Sequence, residues 1–231
     1  MIEQSKLEAA IHHYLVRGLI DHGFTPDIGT LQKMVKADAT TVRNGLKRLE
    51  ASHSLVCHPG SASPWVIHPF SLSPTATWVQ MGQRGWWAPC IWCALGIAAL
   101  ADDDVVIHSR IGGAAEDLDL HVSQGLVREN GIAVHFVVPL RNAWDNVHHY
   151  CATVLPFRSE KDIDAWSNRH AIPKGAVVPI AQVAELARRW YGQYADRDWK
   201  KWSVAQARHI FEQVGLVGRF WVLDDLEERS F

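Results

Sequence analysis

The spacing of apolar positions in the N-terminal fifty residues predicts three helices. Before Gly23, which is a plausible stop, apolar residues recur three or four apart and share one helix face: Leu7, Ile11, Tyr14, Leu15 and Leu19. The same spacing predicts a short second helix over residues 30–35. A third helix, capped by Thr40 or Thr41, is predicted to follow it.

Two short apolar runs, 54–58 and 65–68, flank the turn-rich segment 59–64 and predict a β-hairpin. Three helices followed by a hairpin are typical of a winged helix. In a DNA-binding winged helix, the third helix would place its basic residues against phosphates, here Arg43, Lys47 and Arg48. Because acidic and basic residues are mixed there without interleaved aromatic residues, a solvated scaffold face is the favoured interpretation.

A polar segment over 71–85 predicts a linker to a second unit, in which helices and strands are mixed. A helix is predicted over 89–100, and strands are predicted at 105–107, 118–122, 132–138 and 150–157, with glycine turns that suit antiparallel pairing. Further helices are predicted at 161–169, 179–194 and 204–214, the last with a capping box formed by Ser203 and Gln206. The predicted fold class is α+β. It comprises an N-terminal winged-helix-like helical unit, residues 1–80, followed by an antiparallel-sheet core with flanking helices, residues 81–231.

Composition narrows the function classes. The chain has 231 residues, 48% apolar content and a formal net charge of -2, so it can bury a core but has no overall attraction to nucleic acid or anionic lipid. The N-terminus lacks a signal-peptide pattern, and the longest apolar run, 94–101, is too short to cross a bilayer. We therefore expect a soluble cytoplasmic protein with no membrane partner. Its four cysteines are then expected to be free thiols, metal ligands or catalytic groups.

Two cysteines three residues apart, Cys90 and Cys93, open the predicted helix at 89–100. If Pro89 is its first residue, Cys90 lies where free backbone amides and the helix dipole favour a thiolate. Together with Cys151, the pair could gather around one soft electrophile or metal ion. A structural zinc site, a thioredoxin-like redox pair and simple buried cysteines remain alternatives. Cys57, in the predicted hairpin, is interpreted as structural.

Two segments carry a family resemblance. Residues 87–97 read WAPCIWCALGI, and residues 151–161 read CATVLPFRSEK, with Trp166 following. They resemble the organomercurial (alkylmercury) lyases. The resemblance implies that Cys90 and Cys151 take an organomercury compound by thiolate exchange, and that an aspartate three residues after the first cysteine delivers a proton to the leaving carbon. The products would be a hydrocarbon and mercury(II) held by two thiolates.

Cys93 occupies the place of the family aspartate. A thiol can still donate a proton, but three thiolates would hold mercury more tightly and slow its release. The chain is therefore expected to be a lyase-like enzyme for a carbon–metal or other carbon–heteroatom bond, with Cys90, Cys93 and Cys151 as catalytic and metal-binding residues. The alternative is a non-catalytic protein that binds a soft metal ion, mercury or copper, or senses thiols. No cofactor is required, and the expected partners are a small organometal and small thiols.

Other polar residues were considered as the missing acid. If the predicted strand at 150–157 begins early, His149 and Cys151 share a face, although exposed loop positions are the favoured interpretation of His148 and His149. His135 is interpreted as a core histidine that has its hydrogen-bond partners. The aspartate run at 102–104 is interpreted as a solvated loop.

Overall fold

The computed structural model describes residues 2–223, with side chains from residue 5 onward, and it contains the three predicted N-terminal helices. They are α1 (Ile2–His22), α2 (Ile28–Val35) and α3 (Ala39–Ala51). The cap predicted for α3 is wrong: Asp38, in extended conformation, accepts the Thr41 amide at 2.7 Å, so the cap lies before both threonines. A carboxylate at this position satisfies an amide that the helix leaves free.

Antiparallel strands form two sheets. The larger has the order β1-β2-β3-β5-β4-β6-β7-β8 and comprises β1 (Val56–Cys57), β2 (Pro64–Ile67), β3 (Phe70–Ser71), β4 (Thr77–Met81), β5 (Arg84–Ala88), β6 (Val105–Arg110), β7 (Asp117–Ser123) and β8 (Leu126–Val127). The smaller has the order β10-β9-β11 and comprises β9 (Ala133–Phe136), β10 (Val154–Phe157) and β11 (Ala176–Pro179). The later helices are α4 (Ile91–Ala101), α5 (Val147–Ala152), α6 (Glu160–His170), α7 (Ile180–Tyr191) and α8 (Val204–Gln213). The predicted α+β class with antiparallel pairing is confirmed.

The linker predicted over 71–85 is wrong, because residue 71 ends β3, residues 77–81 form β4 and residues 84–85 begin β5. Trp78 pairs with Trp87 across the two strands, with ring centroids 4.7 Å apart, while Val79 is fully buried. The hairpin at β1 and β2 therefore joins the same sheet as the later strands. The predicted boundary after residue 80 falls within β4. The division into residues 1–80 and 81–231 and the winged-helix assignment stay predictions.

The strand predicted over 150–157 is only half correct. Residues 147–152 form helix α5, because the Asn146 side chain accepts the His149 amide at 3.0 Å and caps its first turn. The strand β10 begins only at Val154. The proposed strand face shared by His149 and Cys151 is therefore wrong, since residues two apart on a helix do not face each other. His148 and His149 are exposed as expected, but on a helix rather than in a loop.

Helix α4 lies at the centre of the core. Nearly all of its residues are buried, and it packs against α7. Gly96 permits this contact, since a Cβ there would stand 2.3 Å from the Tyr191 ring. No helix in residues 2–223 combines the length and apolar character that a membrane span requires. The capping box predicted at Ser203 and Gln206 is present at the start of α8.

Candidate functional site

Cys90 is the N-cap of α4. Its backbone is extended, and its Sγ accepts the Cys93 amide at 3.4 Å. The helix thus starts two residues later than the sequence predicted, at Ile91, and Pro89 precedes the cap instead of opening the first turn. Burial alone would raise the pKa of the Cys90 thiol. Hydrogen bonds from the Cys151 and Cys93 thiols and from the amides of Cys93 and Trp92 outweigh burial and hold this pKa well below its usual value.

Cys93 and Cys151 lie beside Cys90, from the first turn of α4 and from α5 respectively. Burial and the neighbouring Cys90 charge raise the pKa of the Cys93 thiol well above its usual value. Hydrogen bonding to Cys90 and Cys93, together with burial, raises the pKa of the Cys151 thiol in the same way. Cys90 is therefore the first of the three to ionise, and its thiolate accepts hydrogen bonds from the two thiols that stay neutral.

Cys57 stands apart from this thiol cluster. It lies in β1, where its amide donates to the Glu50 carboxylate at 2.8 Å. Burial and the Glu50 charge raise the pKa of the Cys57 thiol to about 11. Cys57 is thus an inert, neutral thiol, and it provides a matched reference for substitutions in the cluster.

His68, between β2 and β3, joins the cluster although no sequence pattern singled it out. Its Nδ1 is 3.9 Å from the Cys93 Sγ, and the ligand atoms of His68, Cys93 and Cys151 all lie within 4.8 Å of one another. Burial and the charge of Lys201 lower the pKa of His68 to about 3. The imidazole is therefore neutral, so it can act as a ligand but not as an acid at neutral pH.

Tyr191 reaches the cluster from the last turn of α7. Its hydroxyl is 3.6 Å from the Cys93 Sγ, in the space that Gly96 leaves open. Burial raises the pKa of Tyr191 well above its usual value, so the phenol keeps its proton. Tyr191 can thus orient the Cys93 sulfur through a hydrogen bond in which either atom donates.

Two cavities meet at the cluster. We call the larger, of about 680 Å³, the outer cavity; its lining includes Cys90, Cys151 and His68, together with Trp65 and His148. The smaller, the inner chamber, has a volume of about 40 Å³ and is lined by Cys93, Cys151 and His68, with aromatic residues that include Trp92, Tyr150 and Tyr191. Cys151 and His68 border both spaces. An outer cavity of this volume is in the range of small-molecule sites.

No aspartate or glutamate lines either cavity, as far as the side chains of residues 5–223 are concerned. The donors that hydrogen-bond to the Cys90 sulfur are the Cys151 and Cys93 thiols and the amides of Cys93 and Trp92. Asp104, from the predicted solvated run, is exposed and accepts a hydrogen bond from Ser123 at 2.7 Å. The place that the resemblance gives to a carboxylate is thus filled by the Cys93 thiol.

Of the other candidates, His148 lines the outer cavity, whereas His149, His135 and the basic residues of α3 lie outside both cavities. The Nε2 of His135 accepts the Gly175 amide at 2.9 Å, but its Nδ1 has no partner among the described residues, so the expectation of a fully satisfied histidine holds for one nitrogen. Arg48 pairs with Glu8 at 2.5 Å, whereas Arg43 and Lys47 are exposed on α3.

The chain is similar to known proteins in sequence and in fold. A family model described as alkylmercury lyase matches residues 70–192, more than half of the chain, and this match includes all three clustered cysteines and Tyr191. A solved structure titled "Crystal structure of the mercury-bound form of MerB2" resembles the chain with a TM-score of 0.63 and 17% sequence identity, covering 86% of this chain and 100% of that one. Among curated proteins, no match is found.

Proposed function

Because the chain belongs to the alkylmercury lyase family, we propose that it captures an organomercury compound on the Cys90 thiolate and cleaves the carbon–mercury bond by protonolysis. The proposal is supported by the arrangement of the three thiols. Cys90 is a thiolate at a helix N-terminus, it lines a cavity of about 680 Å³, and it accepts hydrogen bonds from two neutral thiols. Mercury(II) is soft and prefers thiolate to oxygen or nitrogen ligands, so the ionised sulfur is the group that it meets first.

The first step is thiolate exchange. The Cys90 sulfur forms a bond to mercury, and the small thiolate that carried the organomercury cation leaves. The second step uses Cys151, which lines the outer cavity with Cys90. Its sulfur bonds to mercury while its proton passes to the carbon, so that the carbon–mercury bond breaks and a carbon–hydrogen bond forms. The products are a hydrocarbon and mercury(II) held by Cys90 and Cys151.

Release requires small thiols. Two of them exchange for the protein sulfurs, one of them returning a proton to Cys151, and carry mercury away as a dithiolate. Cys93 acts against this step, because a third sulfur beside the bound ion stabilises the complex. Four free buried cysteines also require reducing conditions, and we therefore place the protein in the cytoplasm.

Turnover tests the proposal. With phenylmercury and an excess of small thiol, we expect the purified protein to produce more than one equivalent of benzene per chain, measured by gas chromatography. The Cys57→Ser variant is the matched control and is expected to behave like the wild type. If organomercury is captured but benzene is absent, the lyase proposal is wrong.

The pH dependence of capture tests the ionisation of Cys90. Because the pKa of Cys90 is lowered, we expect its capture rate to begin to decline at a lower pH than that of an ordinary thiol. An ordinary thiol loses about tenfold in rate per pH unit below a pKa of about 8.5. Stopped-flow measurement of organomercury capture, with a free small thiol in parallel, distinguishes the two profiles. A decline that begins at the same pH in the protein and in the small thiol would contradict the assignment.

The absence of a carboxylate from the described lining favours a second candidate function. In it, the three thiols hold a soft metal ion, mercury or copper, without turnover, or sense small thiols. Retention would give at most one equivalent of benzene per chain in the same assay, with mercury bound stoichiometrically. Multiple turnovers would exclude this alternative.

A further inference from the structure

The inner chamber contains buried polar atoms that have no partner. His68 Nε2, Trp92 Nε1 and Tyr150 Oη each lack a hydrogen bond within the described part of the chain. All three side chains line this chamber, and they are only 9%, 4% and 3% exposed. Buried polar groups in folded proteins nearly always have partners. Three such groups around one space of about 40 Å³ therefore indicate a polar occupant.

The donor atoms beside the chamber identify the class of occupant. One imidazole nitrogen of His68 and the sulfurs of Cys93 and Cys151 lie within 4.8 Å of one another, and the distance from His68 Nδ1 to Cys93 Sγ is 3.9 Å. Ligand atoms that share one tetrahedral zinc ion stand roughly 3.3–3.8 Å apart, given bonds of about 2.0–2.3 Å. A closing movement of about 1–1.5 Å at most would bring the set to that spacing.

Charge selects among the metals that such donors accept. No carboxylate lines the chamber among the described residues, so magnesium and calcium find none of the charged oxygen ligands that they require. Two thiolates and a neutral imidazole neutralise a divalent ion, whereas with copper(I) they leave a buried net charge of about -1. Burial of the site, with Cys93 only 1% exposed, favours the neutral assembly.

We propose that His68, Cys93 and Cys151 form a zinc(II) site whose fourth position opens into the inner chamber. A zinc-bound water there would give hydrogen-bond partners to Tyr150 and Trp92, which line that space. Binding releases two protons, one from each thiol. Cys90 is not a ligand and remains at the outer cavity. In the zinc-loaded state the Cys90 sulfur stays free of the metal and keeps only its hydrogen bonds from the Cys93 and Trp92 amides, while the other two sulfurs are protected. Mercury, being softer, would have to displace zinc to reach them.

Zinc affinity of the metal-free full-length protein tests the site. We expect one zinc ion per chain by equilibrium dialysis, and a cobalt(II)-substituted form with the visible bands of tetrahedral thiolate coordination. His68→Gln, Cys93→Ser and Cys151→Ser are each expected to lose at least about tenfold in zinc affinity, measured by competition with a chromophoric chelator. Cys90→Ser is expected to retain the wild-type zinc affinity. Cys57→Ser and His135→Gln, which alter residues outside both cavities, are expected to retain it as well.

Three results would overturn the zinc site. One is the absence of zinc binding by folded wild-type protein, whether or not copper(I) binds. Another is wild-type zinc affinity in the His68→Gln variant. The third is a loss of zinc affinity in Cys90→Ser as large as that in Cys93→Ser and Cys151→Ser, which would indicate that the three thiols bind the metal instead. Should His68→Gln fail to fold by circular dichroism, the comparison of Cys93→Ser with Cys90→Ser decides the question. Benzene production is measured on zinc-free protein, so the lyase proposal and the zinc site succeed or fail separately.

Discussion

Replacing Cys90 by serine is expected to abolish organomercury capture at the outer cavity. The hydroxyl of serine stays neutral and is a poor ligand for mercury, whereas the Cys90 thiolate is ionised and soft. In this variant burial still raises the pKa values of the neighbouring Cys93 and Cys151 thiols, so both remain poorer nucleophiles than the Cys90 thiolate. We expect a loss of at least about a thousandfold in the capture rate, comparable to the loss of a catalytic nucleophile. The rate is measured by mass spectrometry of protein quenched after short exposure to phenylmercury.

The control for this variant is Cys57→Ser. Cys57 is as well buried as Cys90, at 4% exposure each, but its thiol is neutral and lies outside both cavities. Both variants therefore replace a buried cysteine by serine, but only Cys90→Ser removes an ionised sulfur. If the two variants capture organomercury at similar rates, Cys90 is not the capturing group.

Local patterns were sufficient for most of the fold. Helical periodicity predicted α1 to α3, and the capping box at Ser203 and Gln206 fixed the start of α8, because both signals depend on residues within a few positions of one another. The strands within 71–85 are not evident from the sequence, because serine, threonine and glutamine make the segment look like a polar loop. The strand character of Trp78 and Val79 becomes clear only when β4 is paired with β5. Likewise, the capping of α5 by Asn146 outweighed the β-propensity of the residues that follow.

The site could be predicted only where residues close together in the sequence form it. Cys90 and Cys93 are one helical turn apart, so their proximity follows from spacing alone, and the resemblance added Cys151. His68 lies 25 residues before Cys93 in the sequence, and Tyr191 lies 98 residues after it. Nothing in one sequence indicates such pairings. They arise from the packing of α7 against α4 at Gly96 and from the turn between β2 and β3.

Replacing Cys93 by aspartate is expected to raise the steady-state rate of hydrocarbon production by about tenfold or more. Position 93 is the third residue of α4, where a carboxylate is stabilised by the free amides and the helix dipole. With Cys93 only 1% exposed, burial would raise the pKa of the new carboxyl group, and this favours its action as a proton donor. The substitution also removes the third sulfur that retains mercury. Benzene production at saturating small thiol measures the gain.

Cys93→Ser separates the two causes, because serine removes the sulfur without supplying an acid. If slow release limits the wild type, Cys93→Ser and Cys93→Asp should both increase the multiple-turnover rate while the first equivalent of benzene forms no faster. If proton delivery limits it, only Cys93→Asp should accelerate that first equivalent, measured under single-turnover conditions. A decrease in both phases for Cys93→Asp, in protein that remains folded, would mean that the Cys93 thiol itself supplies something that an acid cannot replace. Cys93 would then be the proton donor in this chain, hydrogen-bonded as it is to the Cys90 sulfur that first binds mercury.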